Sequence, residues 1–145
     1  RAVLRGTLRT ASVGVRERVM RRLRELTARL PPTFGATAEL EILGVSYPPT
    51  INHAGPTELA IQAARDVVGA ERVNGESDML MGSEDFSFML QKVPGCYLFL
   101  GNGAGTEKGA TPVHSSEYDF NDDIIPAGAA FFTRVVETAM PLAAE

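Results

Sequence analysis

The sequence predicts an α/β (α+β) protein in two parts, and three observations carry that expectation. Ala2 to Thr10 alternates apolar and polar residues as a half-buried strand does. Val15, Val19, Leu23, Leu26 and Leu30 step by three or four and make one apolar helical stripe. The charge then reverses: residues 1–47 hold nine Lys/Arg against four Asp/Glu, a balance of +5, whereas residues 48–145 hold five against fourteen, a balance of -9. The reversal falls at Tyr47-Pro48-Pro49-Thr50, where paired prolines favour extended backbone and forbid helix, so the spacing places a boundary between 1–47 and 48–145.

In chain order, Ser12 is placed to cap the first helix, Pro31-Pro32 and Gly35 to end it, and Ala36 to Val45 to return as a second strand with Ala38, Leu40 and Ile42 on one face. This completes a strand-helix-strand unit. A second helix is expected over Thr57 to Val68 with Gly69 as its stop, then a short strand around Arg72 and Val73. Ser83 can cap a short helix from Glu84 to Gln91 whose Phe86 and Leu90 face a core. Pro94-Gly95 turns the chain into Cys96 to Leu100, a continuous apolar run suited to a central strand covered on both faces. A last helix runs from Pro126 to about Met140, with proline at its first turn.

Composition narrows the classes. At 145 residues, 44% hydrophobic and 22% charged, the chain can bury a core, and no apolar run approaches the roughly 20 residues that span a bilayer. No signal-peptide pattern stands at Arg1 to Arg5, so a cytoplasmic protein without membrane attachment is expected. Cys96 is the single cysteine, inside an apolar pattern, and reads as a small buried hydrophobe. The arginines of the first helix, Arg16 to Arg29, are interleaved with Glu17 and Glu25 at ion-pair spacing and lack aromatic partners, so a solvated helix face explains them and no nucleic-acid partner is expected.

Four stretches could carry chemistry. The loop Gly101 to Gly109 follows an expected strand but opens no helix and has no Gly-Lys-Ser/Thr, so it reads as a surface loop rather than a phosphate cradle. His114 stands after that loop with Ser115, Ser116, Glu117, Asp119, Asn121, Asp122 and Asp123 downstream. One histidine with no His-x-x-x-His or Cys-x-x-Cys companion leaves a metal ligand and a hydrogen-bonded structural side chain both open. Glu84 and Asp85 are adjacent and diverge; early in a helix they complement its dipole, while Gly82-Ser83 before them could present amides to a substrate carboxylate. His53 beside the proline boundary reads as a surface residue.

Met81-Gly82-Ser83-Glu84-Asp85-Phe86-Ser87, Pro94-Gly95 before an apolar strand, and His114 followed by Tyr118-Asp119-Phe120-Asn121-Asp122 resemble the C-terminal part of bacterial amidohydrolases of the hippurate hydrolase and N-acyl-amino-acid deacylase type. Gly6-Thr7-Leu8-Arg9-Thr10, Phe34-Gly35-Ala36 and Tyr47 to Asn52 resemble that family's smaller second domain and its return to the catalytic domain. The family belongs to the aminoacylase and carboxypeptidase superfamily of two-metal hydrolases.

The resemblance implies residues 1–47 as the second half of a satellite domain that pairs in a homodimer, and 48–145 as the C-terminal part of the catalytic domain. It implies His114 as the last metal ligand, with zinc, manganese, cobalt or nickel as the cofactor. Arg9 would lie at the carboxylate end of an N-acyl amino acid, bordered by Gly82, Ser83 and Glu84. The remaining ligands and the glutamate that activates water would lie in an N-terminal portion, so no catalytic residue is expected in this chain, which reads as a truncated enzyme inactive alone. The competing reading is a non-enzymatic interaction or dimerisation module that uses the basic helix and a strand edge.

Overall fold

Helix α1, Val13–Arg29, starts where its sequence cap lies: Ser12 is extended, and its Oγ accepts the Val15 amide at 3.2 Å. This satisfies one of the donors that a helix start leaves without an intrahelical partner. The helix closes on a 3₁₀ turn, Pro31–Phe34, whose following residue Gly35 takes the left-handed conformation at φ 66° that glycine enters without a Cβ penalty. The computed structural model describes residues 1–44, 46–105 and 109–141. Within it the chain forms two compact units, one of Arg1–Ile51 with Asp78–Val93 and the other of Asn52–Ser77 with Pro94–Glu145.

In the first unit, α1 is joined by α3, Phe86–Leu90. Leu90 and Ser87 are buried, Phe86 is half-buried, and the Phe88 ring packs on Tyr47 with centroids 5.8 Å apart. Ser87 tolerates full burial because its hydroxyl donates to the Glu84 carbonyl at 2.5 Å. The start of α3 differs from the sequence expectation. The helix begins later, with Asp85 rather than Ser83 at its N-cap; Glu84 Oε1 accepts the Phe86 amide at 3.3 Å, and Ser83 Oγ accepts from Arg9 instead. The ion pair on α1 is likewise Arg22 with Glu25 at 2.5 Å, among the described residues, rather than Glu17 with Arg21 or Glu25 with Arg29. Arg16 also hydrogen-bonds Ser46 within this unit.

In the second unit, α2, Ala54–Val68, packs against α4, Ile125–Ala139. Ala60 and Ala63 provide the buried face of α2, and Asp66 on α2 lies 3.8 Å from Arg134 on α4. Gly128 of α4 lies against the 96–100 segment: an added Cβ there would stand 3.4 Å from Leu100. Gly69 at φ 89° ends α2 as the sequence indicates, and Pro126 sits in the first turn of α4. The short strand expected at Arg72 and Val73 is instead a 3₁₀ turn, Ala70–Arg72, with Val73 alone in β conformation.

The strand-helix-strand part of the α/β expectation does not form: among the described residues the secondary structure is helical, without strands. Residues 2–10, 36–44 and 96–100 are irregular, and Val45, the end of the second expected strand, lies outside the described residues. The alternation in the sequence specifies a face, but a strand exists only when a neighbouring backbone completes its hydrogen-bond ladder. The apolar side chains of these segments are correspondingly uncovered: Leu4 is 98% and Phe99 70% exposed, and Leu98 and Leu100 are also exposed rather than enclosed on both faces. The stripe of α1 is open too, with Val15, Leu23, Leu26 and Leu30 exposed. Cys96 is half-buried with a free thiol, its Sγ 3.8 Å from the Tyr97 carbonyl. No helix among the described residues is long and apolar enough to cross a membrane.

Candidate functional site

Arg9 and Ser83 are 74 positions apart in sequence, yet the first unit joins them: Arg9 Nη1 donates to Ser83 Oγ at 2.8 Å, and both side chains are exposed. The chemistry of the pair is one-sided. Ser83 uses its oxygen as the acceptor and keeps its O–H to donate, and a guanidinium has five N–H donors and no acceptor. Together they offer donors and a positive charge to solvent, a combination suited to a carboxylate. Gly82 stands beside them with nothing within 4 Å of where a Cβ would lie. Glu84 follows, half-buried, its Oε1 fixed on the Phe86 amide and its carbonyl on Ser87.

His114 lies in the second unit, on the turn from Pro112 to Ser115 closed by the Ser115 amide on the Pro112 carbonyl at 3.1 Å. It is the non-glycine residue that takes positive φ among the described residues, at 79°. In a turn with this hydrogen bond, positive φ at the third position is normally filled by glycine or asparagine, and another residue there carries backbone strain. The imidazole is exposed. Downstream the turn continues through the Tyr118 amide on the Ser115 carbonyl and the Glu117 amide on Ser115 Oγ, both local bonds that spend Ser115 on backbone geometry.

Among the described residues no group of three or more His, Cys, Asp or Glu side chains gathers closely enough to hold a metal ion. A catalytic metal centre takes at least three protein ligands, so these residues do not fit such a centre by themselves, and His114 could supply one ligand of it. A cleft of about 570 Å³ in the second unit lies along α2, lined by Glu58, Gln62, Arg65, Asn74 and Glu76 among others. None of the residues singled out in the sequence lines it. Of the glycine-rich loop, Thr106, Glu107 and Lys108 lie outside the described residues.

Three residues with defined roles were not evident in the sequence. His53 has more than a surface role: it is half-buried at the start of α2, its Nδ1 accepts the Gly95 amide at 3.2 Å, and its own amide donates to the Gly95 carbonyl at 3.0 Å. Asn52 beside it makes the matching pair with Tyr97, Nδ2 to the carbonyl and Oδ1 from the amide, each at 2.8 Å. Residues 95 and 97 thus receive the bonds that a neighbouring strand would give, three from side chains and one from the His53 amide. Asn102 is the third. Its Oδ1 accepts the Asn121 amide at 2.9 Å, while Nδ2 donates to the Gly109 carbonyl at 2.9 Å and faces the Asp119 carbonyl at 3.5 Å. The only signal for such roles is the residue type, since asparagine carries both a donor and an acceptor.

Comparison with known proteins adds the context. The model of the peptidase family M20/M25/M40 matches residues 3–138. The chain is 30% identical over 128 residues to thermostable carboxypeptidase 1 of Saccharolobus solfataricus, covering 88% of this chain and 32% of that protein. It is 27% identical to IAA-amino acid hydrolase ILR1-like 4 of Arabidopsis thaliana, covering 86% and 29% of the two chains. With N-acetyldiaminopimelate deacetylase of Lactococcus lactis it shares 26% identity, over 86% of this chain and 31% of that one. The chain therefore spans about a third of the length of the relatives it matches. No solved structure gives a significant match. The chain belongs to peptidase family M20/M25/M40.

Proposed function

We propose that this member of the M20/M25/M40 family is the C-terminal part of a cytoplasmic, metal-dependent amidohydrolase that cleaves N-acyl amino acids and related small amides, in the manner of a hippurate hydrolase. The observation that carries the reading is the 2.8 Å contact between Arg9 and Ser83. It brings the Gly-Thr-Leu-Arg segment and the Gly-Ser-Glu segment to one exposed, donor-rich point suited to the free carboxylate of an amino acid. The names of the relatives support the substrate class: a carboxypeptidase, an amino-acid conjugate hydrolase and a deacetylase of an acylated amino acid all act at amides of amino acids.

In this reading Arg9 and Ser83 hold the carboxylate, with Gly82 and Glu84 bordering the pocket. His114 contributes one ligand to a divalent zinc, manganese, cobalt or nickel centre. The other ligands and the water-activating glutamate come from outside this chain. The metal, when bound, supplies a lowered water pKa and polarisation of the scissile carbonyl. Residues 1–47 form the second half of a satellite domain and 48–145 the end of the catalytic domain. The open stripe of α1 is the surface through which two copies pair, which light scattering across a concentration series tests.

The chain incubated with hippurate and each of the four metals is expected to give no hydrolysis, and turnover by it would refute the assignment of essential groups elsewhere. A protein carrying the complete family domain is expected to hydrolyse hippurate. Arg9→Ala in that protein should raise KM with little change in kcat; an unchanged KM would remove Arg9 from the substrate site.

A further inference from the structure

The carboxamide of Asn102 is shared between the two feet of the segment that carries His114. Its Oδ1 accepts the Asn121 amide, and its Nδ2 donates to the Gly109 carbonyl and faces that of Asp119. The near foot is shaped for it. Gly109 has φ 79°, and a Cβ there would stand 2.1 Å from the Asn102 carbonyl oxygen and 2.7 Å from Asn102 Nδ2, so no other residue fits against Asn102. The far foot is shaped as well, since Asn121 Oδ1 turns back to accept the Asp123 amide and starts the 3₁₀ turn Asp122–Ile124 that leads into α4. Between the feet, the turn at Pro112 to Ser115 holds His114 in the left-handed region, a conformation that a non-glycine residue keeps only when its surroundings impose it.

We propose that Asn102 is a positioning residue: by closing the base of the Gly109-to-Asn121 loop it imposes the backbone conformation that presents His114. Asn102 acts through the loop, without a contact to the imidazole. The claim that the presented side chain serves as a metal ligand rests on the function proposed above; the claim that Asn102 fixes its backbone does not.

The test is NMR of the whole chain, reading the one-bond Cα–Hα coupling and the intraresidue amide–Hα cross-peak of His114, which together report positive φ. Asn102→Ala removes every bond of the carboxamide. Asn102→Asp keeps the shape and the acceptor for Asn121 but loses both donors and sets a carboxylate against two carbonyl oxygens. Loss of the positive-φ signature at His114 in both variants is expected, with the resonances of Ala60, Ala63 and α4 unmoved. A residue that merely fills space would be rescued by the isosteric aspartate. Retention of the signature in either folded variant overturns the inference. No metal enters this measurement, so its failure is separate from that of the ligand assignment, which falls if His114→Ala leaves metal binding of the complete enzyme intact.

Discussion

Replacing His114 by glycine should make the protein more stable while removing the side chain proposed above as a metal ligand. The backbone at His114 sits at φ 79°. Holding an L-residue in the left-handed region costs about 1–2 kcal/mol. Glycine escapes that cost but gives back roughly 0.5–1 kcal/mol through the greater freedom of the unfolded chain. The imidazole is exposed, so its removal adds little. The net expectation is a gain of about 0.8 kcal/mol for His114→Gly, on the order of a fourfold shift in the folding equilibrium. His114→Ala keeps the strained φ and should be near neutral. With a urea slope of about 1.5 kcal/mol per molar, the two variants should differ by about 0.5 M in midpoint. NMR intensities of α2 and α4 resonances during a urea titration would follow the unit that contains the loop. Equal midpoints for the two variants, or a lower one for glycine, would refute the reasoning that His114 is strained.

Other consequences are local. Ser12→Ala should cost about 1 kcal/mol in the first unit and speed exchange of the Val15 amide, and unchanged exchange there would show that the cap is not formed. Asn52→Ala should cost about 2 kcal/mol, because both bonds to Tyr97 go, whereas His53→Ala should cost about 1 kcal/mol, because its backbone bond to Gly95 survives. Similar losses for the two, measured by urea denaturation, would contradict the side-chain pairing of residues 52–53 with 95–97. In the complete enzyme, Arg9→Ala should raise KM for hippurate by roughly tenfold to a hundredfold, the value of one or two hydrogen bonds to a charged group; a loss confined to kcat would place Arg9 at the reacting amide instead.

What the sequence disclosed was what neighbours along the chain decide. The Ser12 cap, the Gly35 and Gly69 stops and the proline at the start of α4 each depend on residues within one turn, and each stands where the pattern puts it. Strands depend on a second backbone, and residues 2–10 and 96–100 have the pattern without the ladder. Of the site, the family resemblance put Arg9 and Ser83 at one pocket, whereas nothing in periodicity or spacing announces a contact across 74 positions. The bond of His53 to Gly95 is hidden for the same reason, since the two lie 42 positions apart. Asn102 looked like one more polar residue in a glycine-rich loop because its bonds reach forward to Gly109 and Asn121.

Metal content measured beside hippurate turnover, in a protein carrying the complete family domain with His114 intact and with His114→Ala, bears on the whole reading. Replacing a ligand opens the coordination sphere, so the variant should keep its fold, hold less metal per chain and lose hydrolysis. Full metal content with near-normal turnover in His114→Ala would show that His114 is a turn residue and not part of a metal centre.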